Sequence, residues 1–447
     1  MGRLASKYRQ SVVARRLSAG VGAALYGRVC TFLTQLIAIP LLTRHWGAEG
    51  YGIWLMLTTI PFYLSMSDFG LGTAAGVEIM RFLKEGDLGS ARSAFQSVWV
   101  LLTATIGTIL FIALIAASML ILLTPYSGDP WGRHEIAKAV VLMIIYSFGI
   151  VQMSIVYVVY RATHRYALGT VLLMSMFPLE GACLLITVLL GGGLNDVLIG
   201  YIILRALGAV AYNYVIYRRE RWFAVGWDSA RLSVIRSLAG PSTAVLSLNG
   251  SNIMVLQLLL VTLGAFAGPA TVAVFGSVRF LARIPFQFFS MFERASVPEF
   301  THAELHERWG LMRKMVRMNV TLGLLASLPV AIILTFFGQT LLGAISHSLH
   351  ASQTLFFWLG MTTVFLVTWT GLATPLFATN QAHRYAYYFL AIALLVVLGP
   401  MLRNLLHIPM EPGTFSAMML ALGHMAMIVI LWFQLSGAPW FRRKEMA

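Results

Sequence analysis

An all-α polytopic membrane protein is what this 447-residue chain predicts, and three observations point there. Hydrophobic residues make up 58% of the chain and charged residues only 11%, whereas about a quarter of a soluble domain is charged. The apolar residues come in uncharged runs, such as TATIGTILFIALIAASMLILL at 103–123 and YYFLAIALLVVLGPML at 387–402. Runs of roughly 20 apolar residues suit a bilayer-crossing helix, whereas a β-barrel would show ~10-residue alternating segments. The basic residues, which give a formal net charge of +15, gather between the runs. That placement is the topology signal of a membrane protein rather than a nucleic-acid surface.

About twelve spans can be placed, near 19–41, 51–73, 97–123, 138–160, 167–190, 195–217, 238–263, 270–293, 317–338, 353–378, 385–402 and 414–436. Glycine, proline and charge mark the joints, as in RHWGAEG, YSGDPWGRHE, GGGLND and GAFAGPA. An even number of spans puts both termini on one side. Twenty-four of the 32 Lys and Arg residues fall in the N-terminal arm, the even-numbered connections and the tail, and four in the odd connections. The positive-inside rule then places both termini in the cytoplasm.

The longest basic connection, YRRERWFAVGWDSARLSVIRS at 217–237, divides the spans six and six. The expected organisation is a basic arm over 1–18, a first lobe over 19–217, a linker over 218–237, a second lobe over 238–437 and a tail over 438–447. The lobes look weakly alike: each opens with two spans joined by a short glycine-containing turn. Each second span also contains IPF, at Ile60 to Phe62 and Ile284 to Phe286. Six spans per half makes these parallel repeats, a recurrent transporter layout with the site between the halves.

Four arginines fall inside spans: Arg28, Arg205, Arg279 and Arg283. A charge near the bilayer centre costs roughly 2.5–3.5 kcal/mol on insertion scales, so these side chains are expected to face protein or water. Arg279 and Arg283, four residues apart, share one helix face. Deep acids are Asp68, Glu78, Glu180 and Glu293. Pairing between helices would account for some of these charges, and Glu78 and Glu293 near the cytoplasmic boundary fit that reading. The mid-span arginines instead suggest a cavity that receives an anion, since the planar guanidinium fork suits phosphate. Asp68 and Glu180 are candidates for coupling or gating. Pro285 is expected to bend its helix rather than end it.

Motifs for enzymes or cofactors (Walker A, GxSxG, or GxGxxG after a strand) are lacking, so neither an enzyme nor a cofactor is expected. His302 and His306 stand at helical spacing in a charged connection and do not read as a metal site.

Two segments carry a family likeness. VRFLARIPFQFFSMFERASVPEF resembles the eighth-helix pattern of the multidrug/oligosaccharidyl-lipid/polysaccharide (MOP) flippase superfamily, through Arg279, Pro285 and Pro298. Phe280 stands where leucine is usual there. IPLLTRHWGAEGYGIWLMLTTIPFYLSMSDFGLGTAAGVEIMR looks like the start of its polysaccharide-transporter branch, the Wzx-like O-antigen flippases. The resemblance implies two six-helix lobes, a cationic central cavity and alternating access in the bacterial inner membrane. The implied substrate is an undecaprenyl-diphosphate-linked oligosaccharide moved to the periplasmic leaflet, with Arg279, Arg283, Arg205 and Arg28 facing the diphosphate or acidic sugars. It further implies a monomer, acting beside a polysaccharide polymerase and other pathway proteins. The alternatives are a MATE-like drug/cation antiporter of the same fold, which would show cavity acids, and a polymerase or ligase of the pathway, which would carry a large outer loop.

Overall fold

The computed structural model describes residues 2–65, 71–123, 131–234 and 243–436. Among the described residues the regular structure is helical. Among the described residues ten helices are long and apolar enough to span a membrane singly, and a bent pair, Pro269–Ala282 with Ile284–Leu305, makes an eleventh span. The expected count of about twelve differs because Leu25–Leu64 runs as one apolar stretch where two spans were placed. It is interrupted at Gly47, whose φ of 69° and ψ of 178° belong to no helix. Large apolar side chains point outward, Phe336 and Phe337 being 70% and 62% exposed. A water-soluble fold would bury them, so the chain is a multi-pass membrane protein whose outer surface faces lipid.

The chain divides into two compact units: Met1–His45 with Ile60–Pro241, and Trp46–Thr59 with Ser242–Ala447. Unit 1 holds α1 (Gly2–Leu57, to His45), α2 (Ile60–Ser65), α3 (Leu71–Glu85), α4 (Leu88–Leu123), α5 (Arg133–Ala162), α6 (Tyr166–Met174), α7 (Met176–Leu189) and α8 (Leu194–Arg219). Its core gathers Phe95, Tyr160, Tyr212 and Phe223, all but fully buried. The Tyr160 hydroxyl donates to the Tyr212 carbonyl at 2.8 Å, and Gly169 leaves room for the Tyr160 ring.

The basic connection after α8 folds back onto α4 rather than hanging free. The buried Gln96 donates to the Ala224 carbonyl at 3.1 Å and accepts the Ser229 N–H at 2.7 Å. Ser97 accepts the Arg231 N–H at 2.8 Å, and the rings of Phe95 and Phe223 meet at 4.9 Å. A side-chain amide that pairs one donor and one acceptor of a loop backbone replaces the water those groups would otherwise need.

Unit 2 holds the end of α1 from Trp46, then α9 (Thr243–Ile253), a π-turn over Met254–Leu258, α10 (Leu259–Ala267), α11 (Pro269–Ala282), α12 (Ile284–Leu305), α13 (Trp309–Ile345), α14 (Gln353–Ala378), α15 (His383–Leu405) and α16 (Pro412–Ser436). Glycines let the end of α1 pack against α10 and α11: a Cβ on Gly52 would fall 1.8 Å from the Pro269 carbonyl oxygen, and Leu55 fills the space at Gly276. The core of unit 2 includes Phe300, Phe389 and Met427, each 1% exposed or less.

Both IPF triplets mark a helix restart. Ile60 opens α2 after a turn at Thr58 and Thr59, and Ile284 opens α12 after a single break residue, Arg283. Proline has no N–H to give and prefers the first turn of a helix, so each restart is set by the local sequence. In the second case the two helix segments bend by 48°.

Candidate functional site

The six residues singled out in the sequence separate into distinct settings. Asp68 lies outside the described residues, and Arg28 lies on α1 with its side chain outside the described atoms.

Glu180 and Arg205 come together inside unit 1, from α7 and α8, and form an ion pair sealed from solvent at 4% and 3% exposure. Tyr146 of α5 completes the set. Its hydroxyl donates to Glu180 Oε2 at 2.8 Å and accepts from Arg205 Nη2 at 3.2 Å, and its ring lies 5.3 Å from the guanidinium carbon. Tyr201 packs on Tyr146 with ring centroids 5.2 Å apart. Gly149 makes room, because a Cβ there would fall 2.5 Å from Arg205 Cγ. Arg205 is thus neutralised where it stands. A buried pair of this kind ties three helices together, and stripping one partner costs about 3–5 kcal/mol.

Arg279 and Arg283 have no such counter-ion among the described residues. Arg279 closes α11, Arg283 is the break residue before α12, and the Arg283 N–H still donates to the Arg279 carbonyl at 3.0 Å. Both side chains therefore leave the backbone one turn apart, half-buried. Among the described residues neither forms an ion pair, and Arg279 Nη1 is buried without a hydrogen-bond partner. Their neighbours are aromatic or neutral. The Arg279 guanidinium carbon stands 5.5 Å from the Phe275 centroid and that of Arg283 5.2 Å from Phe286. The Tyr51 hydroxyl lies within electrostatic reach of Arg279, and the buried His424 ring within reach of Arg283. His424 Nδ1 accepts the Trp369 indole N–H at 3.1 Å, which puts the ring proton on Nε2. Two like charges thus lie one turn apart with only neutral partners among the described residues.

Glu78 pairs with Arg81 at 2.7 Å, three residues along its own helix rather than across helices. Among the described residues Glu293 makes no ion pair; the Thr374 hydroxyl donates to its Oε1 at 3.2 Å, and the carboxylate lines a cavity of about 260 Å³ inside unit 2. The pairing between helices expected of Glu293 is not seen among the described residues, and the adjacent Arg294 leaves the helix on a different face. Tyr146, Tyr51 and His424 were passed over, since a tyrosine or histidine in an apolar run has no pattern of its own.

A multi-pass helical membrane protein with two polar centres, one in each unit, is thus the class that fold and site define. No family model matches the chain, and no curated protein matches it. Solved structures do. An inward-facing multidrug resistance MATE family transporter of the MOP superfamily has a TM-score of 0.70 at 13% identity, over 91% of this chain and 94% of that one. The MATE multidrug transporter DinF-BH, solved as a complex, has a TM-score of 0.60 at 17% identity, over 95% and 96%. A MOP superfamily transporter from Pyrococcus furiosus Vc1, whose binding pocket is described as of reverse polarity and suggesting a different function, has a TM-score of 0.58 at 11% identity, over 92% and 95%. At such identities the fold is what is shared: the chain has the two-lobe fold of the MATE transporters of the MOP superfamily.

Proposed function

We propose that the chain is a secondary transporter of MATE-like type, an alternating-access antiporter that exchanges its cargo against a cation gradient. The observation that carries this reading is the likeness of fold over 91% of the chain to a multidrug MATE transporter. It supports the antiporter over the Wzx-like branch suggested by the DFGLG segment. In this reading the protein sits in the bacterial inner membrane with both termini in the cytoplasm, and is not an enzyme. The test is reconstitution in proteoliposomes with an imposed sodium or proton gradient and a fluorescent organic cation as cargo. Accumulation that collapses when the gradient is dissipated supports the antiporter, and gradient-independent accumulation overturns it.

A second reading has its own observation. Among the described residues no carboxylate pairs with Arg279 or Arg283 in unit 2, which suits a diphosphate-bearing lipid, so a flippase for lipid-linked oligosaccharide is the alternative. One fold can host cargo of either sign, since cargo is decided by the site. The discriminating experiment is deletion of the gene followed by assignment of lipid-linked glycan to a leaflet. Glycan held on the cytoplasmic side favours the flippase, and normal arrival outside removes it.

A further inference from the structure

We propose that the cavity between α4, α5 and α8 seats the headgroup of a zwitterionic phospholipid, one whose phosphate is joined to a primary ammonium. The cavity lies wholly within unit 1 and holds about 450 Å³. Its polar lining among the described residues is Ser118 of α4, Glu135 and Lys138 of α5, and Asn195 of α8. Three observations select the ligand.

The first is position. α4 ends at Leu123, α5 begins at Arg133 and α8 begins at Leu194, so all four polar residues stand within two turns of the same end of three spans. A bilayer keeps its headgroups at that level, since roughly 20 residues of a helix cover its hydrocarbon core. α5 packs on both α4 and α8 and forms the floor. The two walls are apolar and open outward: Leu114 and Ile199 line the cavity, and Phe111 and Ile203 carry the same exposed faces toward the middle of the spans. An apolar trough running down from a polar end matches the build of a phospholipid.

The second is charge. Lys138 Nζ lies 2.8 Å from Glu135 Oε1, and Asn195 Nδ2 donates to Glu135 Oε2 at 2.7 Å. His134 stands within electrostatic reach of Glu135 but, like Arg133 and Asp196, is not part of the lining. The Asp196 carboxylate accepts the Gly193 N–H at 2.8 Å. The lining therefore holds one charge of each sign. A headgroup that also carries both signs meets each with its opposite, whereas a purely anionic headgroup runs against Glu135.

The third is spare bonding capacity. An ammonium has three N–H donors and a carboxylate about four acceptor positions. Lys138 gives one donor to Glu135, and Glu135 accepts from Lys138 and Asn195. Asn195 Oδ1 is buried without a hydrogen-bond partner. Lys138 can thus donate to a phosphate, and Glu135 and Asn195 can accept from a primary ammonium, with the ion pair left intact. A trimethylated ammonium has no N–H to give and favours aromatic rings, and the lining described has none.

The experiment is native mass spectrometry of the delipidated full-length protein in detergent. Dioleoyl phosphatidylethanolamine, phosphatidylcholine and phosphatidylglycerol are added in equal amounts. The expected result is an excess of about fivefold for the ethanolamine lipid as the first lipid bound, because its charge-assisted N–H contacts are absent from the other two. Glu135→Gln is expected to erase that excess, and Lys138→Gln to weaken the ethanolamine and choline lipids alike. Ile199→Trp narrows the trough from an exposed position and is expected to lower binding of all three without loss of monodispersity. Free phosphoethanolamine, which lacks the chains, is expected not to displace the lipid. Equal binding of the ethanolamine and choline lipids, a preference for phosphatidylglycerol, an unchanged preference in Glu135→Gln, unchanged binding in Lys138→Gln or displacement by free phosphoethanolamine would each overturn the proposal. The site lies apart from any cargo, so the antiporter and flippase readings are tested separately from it.

Discussion

Arg283 donates its backbone N–H to the carbonyl of Arg279 at 3.0 Å, on the last turn before the chain bends by 48°. Two guanidinium groups are thereby fixed on one side of a helix break, at the point where Pro285 allows the helix to start again. Charge and bend occupy the same few residues, so any movement of α12 against α11 pivots beside the two charges.

Arg279→Leu is expected to leave thermal stability in detergent unchanged or raise it by about 1 kcal/mol, because a buried nitrogen without a partner is removed and repulsion from Arg283 is relieved. A fall of several kcal/mol would mean that the guanidinium is held by an acceptor after all. Binding of inorganic pyrophosphate, if present in the unaltered protein, should be lost in the same variant.

For Glu180 and Arg205 the expectation is opposite. Arg205→Leu and Glu180→Leu alone should each lower stability by about 3–5 kcal/mol, since each strands a buried charge. The double variant should recover most of the loss. Thermal unfolding of the four proteins gives the cycle directly, and a double variant no better than the singles would show that the pair is not the reason.

Gly52→Ala should disrupt unit 2, because its Cβ would fall 1.8 Å from a backbone oxygen, that of Pro269, which cannot rotate away. Overpacking of this kind costs about 1–3 kcal/mol or more. Gly22→Ala, which meets nothing within 4 Å, is the control. The yield of monodisperse protein from the two variants separates the outcomes.

Gln96→Ala removes two hydrogen bonds to the connection after α8, each worth about 1 kcal/mol. Limited proteolysis should then cut beside Arg231 faster, with global unfolding little changed. An unaltered cleavage rate would mean that Ser97 and the Phe95–Phe223 contact hold the segment without the amide.

Depth in the membrane was legible in the sequence; direction around each helix largely was not. Hydropathy placed the spans, and Pro285 announced its bend. The two IPF triplets were visible as repeats, although not as helix restarts. Arg205 and Glu180 were both readable as mid-span charges, but their meeting depends on how α7 and α8 turn toward each other, and on Gly149 and Tyr146 of a third helix. Glu293 was assigned to structural pairing because it lies near the cytoplasmic boundary, yet among the described residues its carboxylate meets the Thr374 hydroxyl and makes no ion pair. The membership of Trp46–Thr59 in unit 2 was hidden because its partners lie far along the chain.

That last arrangement has a consequence for how the protein is made. Gly52 leaves the ribosome roughly two hundred residues before Pro269, so at about 5–20 residues per second it waits roughly 10–40 seconds for the surface it packs on. During that interval its small-residue face lies open to lipid or to other nascent helices. Unit 2 is therefore completed only after the later helices emerge, and its earliest segment, Trp46–Thr59, is the last to find its partners relative to its own synthesis.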